Sequence, residues 1–326
     1  MLLFRNGIRN DEIFEVFSVF ILILFGVFFT YIMLDHYVDG DQVHYLYVYE
    51  NLWKLNFLDA YEEYIRSLSS LELPYFLLIY WLGGYIDREI YLAASNVILI
   101  ILAFKLLKKL GSYNTVAIFF LLTNFYFFVL YIPAERLKFA FIFLFLGLIL
   151  FYNGKKKLSI SFLIISSLTH VSLIILFVPF ILKESWPVIK KRPIIAFVFV
   201  IILLVFLIFL SQHLISKFMS YSALGGNLSD VLKVVLLMFF SIFSMTKRKS
   251  NIPFVVLSFF WIGICVFILG GSRVNMLAFF LFIFFSIGYK KGLNVYVMSL
   301  LIYFSYASYN FVDTAIQYGD AFYFAK

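Results

Sequence analysis

The chain has 326 residues, of which 64% are hydrophobic and only 13% are charged. Soluble domains are nearer half apolar and a quarter charged, so this composition excludes a water-soluble globular protein. The net charge of +8 comes from lysines and arginines clustered between apolar runs, a pattern that sets membrane topology and does not indicate nucleic-acid binding. We therefore predict one all-α, polytopic membrane domain over residues 1–326, with the lipid bilayer as its surroundings.

Several apolar runs are long enough to cross a bilayer, which takes about 20 residues of helix. They are predicted at 14–34, 90–107, 115–131, 135–152, 193–211, 230–246, 252–269, 273–289 and 293–311. Two other runs are ambiguous. The run 73–86 is short and contains Pro74, whereas 158–182 is long for one crossing and short for two.

The charge distribution decides between the alternatives for these two runs. All the basic clusters can face the cytoplasm if 73–86 dips into the outer face and 158–182 is a broken helix pair that turns back near His170. This threading predicts about eleven transmembrane helices, with the N-terminus inside and the C-terminus outside. The first outer loop, residues 35–89, is acidic and aromatic, and it is predicted to hold juxtamembrane or re-entrant helices.

Polar residues that could carry chemistry fall on the predicted outer side. Asp39 and Asp41, with His44 close behind, follow the first crossing. A carboxylate and an imidazole there could act as a general base or hold a divalent cation. The alternative is a solvated turn, because Asp and Gly are common turn residues.

Two arginines stand at predicted outer helix ends. Arg136 opens a helix beside Glu135, and Arg273 follows two glycines. A guanidinium can hold a phosphate bidentately, and glycine lets backbone N–H groups approach an anion. The alternatives are an interfacial anchor or an Arg–Glu pair for Arg136, and a tight turn for Arg273.

His170 lies at the middle of the run predicted to be broken, where a titratable group is costly unless it serves a site. Its alternative is a core histidine bonded to the hydroxyl of Thr169 or Ser172. Glu72, just before Pro74 and Tyr75, could belong to the site or be solvated. Together these residues suit a lipid-linked phosphate with a hydroxyl-rich remainder, whose sugar rings could stack on aromatic residues. Those aromatic residues would be Tyr45, Tyr47 and Trp53.

The order of these segments resembles that in the EpsG/Wzy-type polysaccharide polymerases. The matching segments are DGDQVHY (39–45), ELPY (72–75), ERLKFAF (135–141), GKKK (154–157) and SLTHVSLIILFVP (167–179). The chain departs from that pattern at Leu137, where a polar residue often follows the arginine, and by an extra leucine before Pro74. The layout also resembles the wider class of multi-helix glycosyltransferases that use polyprenyl-phosphate donors.

The resemblance implies a bacterial inner-membrane enzyme that joins undecaprenyl-diphosphate-linked repeat units on the periplasmic side. Because diphosphate is a good leaving group, we expect no cofactor or metal to be required, although an acidic pair could hold a metal ion, and a chain-length regulator could be a partner. We expect the catalytic base among Asp39, Asp41 and His170. The residues expected to bind substrate are Arg136, Arg273, His44, Glu72, Tyr75 and Glu135, with the two arginines on the diphosphate.

Other functions remain open at this stage. A lipid-linked sugar flippase or transporter would be expected to place charge near the bilayer midplane and to show sequence repeats, and neither is evident. Another polyprenyl-phosphate-dependent glycosyltransferase, adding single sugars, would usually carry a larger outer domain. An acetyl transferase that modifies the polysaccharide is a further alternative. A structural scaffold would explain the composition but not the outward grouping of Asp, His and Arg.

Overall fold

The computed structural model describes residues 10–180, 228–245 and 248–325, and in these ranges it contains helices and no strand. The described helices are α1 Asn10–His36, α2 Asp41–Asn51, α3 Phe57–Leu68, α4 Leu73–Leu82, α5 Arg88–Lys109, α6 Asn114–Thr123, α7 Phe125–Tyr131, α8 Glu135–Tyr152, α9 Lys156–Thr169, α10 Val171–Phe180, α11 Leu228–Ser244, α12 Arg248–Leu269, α13 Gly271–Ser286 and α14 Val295–Tyr318. Short 3-10 turns lie at Leu52–Lys54, Tyr289–Gly292 and Tyr323–Ala325. The all-α prediction is confirmed for the described residues.

Three helical segments in the described part are long and apolar enough to cross a membrane: Ile13–His36, Arg88–Lys109 and Tyr289–Tyr318. Their outer surfaces are apolar and exposed, as at Phe28 on α1 and Tyr306 on α14. Such a surface is unfavourable in water and suits lipid. The chain is thus an all-α membrane protein. The full number of crossings and their orientation stay predictions, and the predicted crossing 193–211 lies outside the described residues.

The run predicted as one crossing at 115–131 is two helices, α6 and α7, bent by 60° at Asn124. The Asn124 side chain accepts a hydrogen bond of 3.0 Å from the Tyr126 N–H, so it caps α7 while ending α6. Asparagine favours this capping position because its side-chain oxygen replaces a missing backbone acceptor. If the bent pair is counted as one span, the described part holds up to four crossings.

Helix α4 has ten residues, which corresponds to about 15 Å, half the thickness of a bilayer core. This agrees with the prediction that 73–86 is too short to cross. The helix ends at a close contact between Gly84 and the Trp53 ring, where a Cβ would lie only 2.9 Å from the indole. Residues 35–89 contain the helices α2, α3 and α4, whereas their juxtamembrane or re-entrant position and the outer side of this loop stay predictions.

The run 158–182, described as far as residue 180, is broken at His170, as predicted, whereas the predicted turning back of the chain there stays a prediction. Helix α9 ends at Thr169, and His170 has an extended backbone with φ −153° and ψ 112°. A 3-10 turn, Val171–Leu173, then opens α10. Because its backbone is extended, His170 does not continue the α9 helix, and α9 ends at this break.

The chain divides into two compact units, residues 1–171 with 291–326, and residues 172–290. In the first unit α8 packs along α9 and α5, and α1 packs along α5. In the second, α11, α12 and α13 pack together, and a hydroxyl bond of 2.6 Å joins Ser244 to Ser286. The prediction of a single membrane domain stays a prediction.

The first unit has two chemically different ends. Helices α5 and α8 begin with Arg88 and Glu135 and run towards lysines, at Lys109 and at 155–157. Helix α9 runs back from Lys156 to the His170 break. Because α5 and α8 run in the same direction and α9 runs back, Lys109 and the lysines at 155–157 lie at one end, and acidic, arginine and histidine side chains meet at the other. That second end is called the acidic end here.

Candidate functional site

The acidic end is organised around a buried ion pair between Arg136 and Glu72. Arg136 stands in the first turn of α8, and its Nη1 donates to Glu72 Oε2 over 2.8 Å. The side chains are only 11% and 7% exposed. A buried ion pair is stable only while both partners are present, because a single remaining charge would be poorly solvated.

The backbone of Glu72 is held by neighbouring polar groups. Its N–H donates to Ser70 Oγ over 3.3 Å, and its carbonyl accepts a 3.4 Å bond from the buried Tyr64 hydroxyl. Pro74 follows in the first turn of α4, where its fixed φ and missing N–H cost nothing. The carboxylate is consequently presented from a fixed point at the start of α4.

His170 lies on the other side of the Glu72 carboxylate. Its Nδ1 is 3.9 Å from Glu72 Oε1, and the imidazole is buried. The Thr169 hydroxyl donates to the carbonyl of Ile165 over 2.7 Å, and the alternative that His170 is bonded to the hydroxyl of Thr169 or Ser172 stays open. One carboxylate thus stands between a guanidinium and an imidazole.

Tyr45, from α2, completes the surroundings of Arg136. Its hydroxyl accepts a 3.3 Å bond from Arg136 Nε, and the guanidinium carbon lies 6.0 Å from the ring centroid. Burial raises the pKa of Tyr45, although Arg136 opposes this, so the phenol keeps its proton. Among the described residues neither this proton nor Arg136 Nη2 has a protein acceptor. Both can donate to an oxygen of a ligand.

Glu135 is not paired with its neighbour Arg136. Its Oε1 accepts from Nη2 of Arg88, and its Oε2 accepts a 2.9 Å bond from the Tyr75 hydroxyl. The same Nη2 of Arg88 also donates to Gln42. The Glu135 side chain is 1% exposed. We call these four residues the Arg88 network: Arg88, Gln42, Tyr75 and Glu135.

Lys138 is also fully buried, on a different side of α8. Its ammonium donates to Asn96 Oδ1 over 2.8 Å and to the Tyr131 carbonyl over 3.1 Å. Asn96 in turn donates to the Thr30 hydroxyl over 2.7 Å. This chain of hydrogen bonds joins α1, α5 and α8. It also gives the Tyr131 carbonyl, at the end of α7, a hydrogen-bond donor.

Asp39, Asp41 and His44 are exposed, in contrast to the residues around Arg136. The turn that carries Asp39 packs on the end of α14, where the N–H groups of Val38 and Asp39 each donate to the Gly319 carbonyl over 3.0 Å. Asp41 lies in the first turn of α2, and its charge acts on the Tyr45 hydroxyl. Asp39 thus lies in an exposed turn and Asp41 lies near Tyr45, and the choice between a solvated turn and a base or cation site stays open.

In the second unit a carboxylate of the protein lies beside the predicted anion site at 270–273. Gly271 leaves room for the Asp230 carboxylate, since a Cβ at Gly271 would lie 2.0 Å from Asp230 Cγ. The Asn275 amide and the Lys233 ammonium also donate to Asp230. An acidic side chain of the protein thus faces the start of α13. The side chain of Arg273 lies outside the described part of the chain.

The structure brings together Glu72, Tyr75, Glu135, Arg136 and His170 from the predicted set. Arg136 and Arg273 are the arginines predicted at outer helix ends, and the prediction does not include Arg88, although Arg88 opens α5 in the same way. The prediction also missed Gln42 and Lys138. A lysine inside an apolar helical run was the signal for Lys138. Of the aromatic residues expected to stack on sugars, Tyr45 is buried, whereas Tyr47 and Trp53 are about half exposed.

Chemically, the cluster offers hydrogen-bond donors for an oxyanion beside a possible proton acceptor. Arg136 and Tyr45 supply the donors, and the start of α8 adds the positive end of its helix dipole. His170 supplies an imidazole next to a carboxylate. In the ranges that the structure describes, no three His, Cys, Asp or Glu side chains are grouped so as to hold a metal ion.

No protein-family model matches the chain, and neither a curated protein nor a solved structure matches it. The suggested polymerase family therefore stays a prediction. The side chains gathered at the acidic end are the physical basis on which a function can be argued.

Proposed function

We propose that the chain is a multi-pass enzyme of the bacterial inner membrane that polymerises undecaprenyl-diphosphate-linked oligosaccharide repeat units on the periplasmic side. One observation carries this proposal: a buried Arg136–Glu72 pair, with His170 beside it, at one end of an apolar helical unit. Ionisable groups at such a place are costly and are kept where a polar substrate must be handled next to lipid.

The leaving group accounts for the arginine. When a glycan is transferred, the bond between its first sugar carbon and the diphosphate oxygen breaks, and the bonding electrons leave with undecaprenyl diphosphate. Arg136 Nη2 and the Tyr45 hydroxyl would bind the oxygens on which this charge develops. Donors already held in place stabilise such a transition state more than the ground state.

The attacking group accounts for the histidine. A hydroxyl on the acceptor repeat unit attacks the same sugar carbon and passes its proton to His170 as the new glycosidic bond forms. The Glu72 carboxylate, 3.9 Å from Nδ1, would stabilise the imidazolium that results. Asp41 and Asp39 are the other predicted bases, and Asp41, whose charge acts on the Tyr45 hydroxyl, would contact a substrate that enters beside Tyr45.

The remaining predicted contacts are of two kinds. Tyr75 and Glu135 are buried and bonded to each other, so in this proposal they support the site from behind and do not touch the glycan. His44, Tyr47 and Trp53 are exposed and could contact the sugars. Binding of diphosphate by Arg273 stays a prediction.

The proposal can be tested in a bacterial strain from which the gene is deleted and then restored. We expect the wild-type chain to restore a polysaccharide ladder, and Arg136→Ala and His170→Ala to leave only single repeat units on the surface. Both variants must still be found in the membrane. Each change removes transition-state stabilisation, worth roughly 100-fold or more in rate for one oxyanion donor or one general base.

Matched controls separate the site from the surface. Arg66→Ala, on the exposed face of α3, and His36→Ala, at the exposed end of α1, should leave the ladder unchanged. Normal ladders from both site variants would refute the proposal. Loss of every surface repeat, including single units, in the deletion strain would instead identify a flippase.

A further inference from the structure

The Arg88 network joins four helices of the first unit at one point. Arg88 opens α5, Gln42 lies in α2, Tyr75 in α4 and Glu135 in α8. Both carboxylate oxygens of Glu135 are used, one by Arg88 and one by Tyr75. The Gln42 amide adds a 2.7 Å bond to the carbonyl of Ile132, just before α8. The network thus holds both the first residue of α8 and the chain that leads into it.

Helix α8 has no side-chain cap of its own. It begins after a break, at Ala134, whose φ of −107° and ψ of 59° are not helical. A helix that starts without a cap needs other contacts to set its first turn. In α8 the bonds to Glu135 and Ile132 are those contacts.

The position of Arg136 depends on that first turn. Successive side chains on an α-helix point about 100° apart, so a fixed Glu135 also fixes the direction of Arg136. Arg136 is aimed away from the Arg88 network, at Glu72 and Tyr45. A small rotation of the turn would break both of these contacts.

We propose that Arg88 is a positioning residue, which acts through Glu135 to aim Arg136 at Glu72 and at the substrate diphosphate. The part of this proposal that concerns the substrate diphosphate rests on the function proposed above. The part that concerns the contact of Arg136 with Glu72 does not. Without Arg88, the buried Glu135 carboxylate keeps just the Tyr75 bond, and an uncompensated buried charge drives the first turn of α8 to rearrange. Arg88 itself does not touch the substrate.

This predicts an unusual pattern of loss and rescue. With a lipid-linked repeat unit as substrate, Arg88→Gln should lower kcat by about tenfold or more and change KM by less than about threefold. Adding Glu135→Gln should restore kcat to within about threefold of wild type, because the second change removes the stranded charge. A residue that bound substrate directly could not be rescued in this way.

A second readout does not depend on activity. In detergent-solubilised protein, a dicarbonyl reagent that modifies guanidinium groups should react slowly with Arg136 and about fivefold faster in Arg88→Gln, as misaligned contacts uncover it. The double variant should return to the slow rate. Peptide mass spectrometry measures this directly. Arg66→Gln, which removes an exposed arginine of the pair with Glu63, is the matched control and should change nothing.

The outcomes separate the two proposals. If the wild-type chain restores no polymer, the proposed function fails, and the labelling of Arg136 still decides whether Arg88 positions it. If Arg88→Gln loses activity while Arg136 labelling stays at the wild-type rate, or if Glu135→Gln gives no rescue, the positioning role is overturned. Should Arg88→Gln fail to accumulate, the double variant must still accumulate and label slowly, and its absence from the membrane counts against the proposal.

Discussion

Helix α3 and the start of α8 contain the same kinds of charged pair in opposite surroundings. On α3, Arg66 and Glu63 are one turn apart, joined over 3.1 Å, and the arginine is 77% exposed. At the acidic end, Arg136 and Glu72 are 64 residues apart in sequence and nearly buried. The first pair is local and solvated, and it adds little to folding. The second depends on the whole arrangement of helices, and so it is the one suited to carry function.

The burial of an Arg–Glu pair says more about its role than the residue types do. An exposed Arg–Glu pair can be lost without leaving an unsolvated charge. Among the residues that the structure describes, the buried charged side chains named above have partners at the acidic end: Glu72 for Arg136, Arg88 for Glu135 and the Asn96 oxygen for Lys138. Burying these charges costs free energy, and such a cost is typical of a site that handles a polar substrate at the lipid boundary.

The largest expected effect comes from breaking the Arg136–Glu72 pair on one side. Glu72→Ala should destabilise the protein by about 3–5 kcal/mol, because Arg136 stays buried without its carboxylate. Replacing both residues by methionine should leave stability within about 2 kcal/mol of wild type. Neither variant should make polymer. Unfolding midpoints in detergent, measured beside the polysaccharide ladder, check this, and a wild-type midpoint for Glu72→Ala would show that the pair is not buried.

A smaller effect is expected at Lys138. Lys138→Met leaves the Asn96 oxygen and the Tyr131 carbonyl without their donor, at a cost of about 1–3 kcal/mol. Because Lys138 points away from Arg136, the variant that reaches the membrane should still form long polymer. Lys156→Met, at an exposed position at the start of α9, is the control. Loss of polymer from stable Lys138→Met protein would extend the site to Lys138.

The smallest effect is expected at the exposed pair. Arg66→Gln should change the unfolding free energy by less than about 0.5 kcal/mol and leave the ladder intact, since solvent replaces the lost contact. Stability measured at low and high salt should hardly differ between this variant and wild type. A large loss here would remove the distinction between the solvated and the buried pairs.

The site could be predicted only in part. Arg136, Glu72 and His170 were selected from their positions at helix ends and at a helix break, and they lie together. An Arg–Glu pair was one alternative for Arg136, which stands beside Glu135, and the structure pairs Arg136 with Glu72 instead. Arg88 was missed, although its place at the start of α5 resembles that of Arg136. Asp39 and His44 were selected by residue type and are exposed.

The sequence by itself determined the surroundings of the chain, which are lipid, and its local helical elements. Apolar composition requires lipid, and run length separates the long α5 from the short α4. It also located the break at His170. Tertiary structure alone decided which charges meet, because that depends on how each helix is rotated about its axis and how far it is shifted against its neighbours. Residues 64 positions apart in sequence carry no local signal of that register, so the Arg136–Glu72 pair had to be seen in the folded chain.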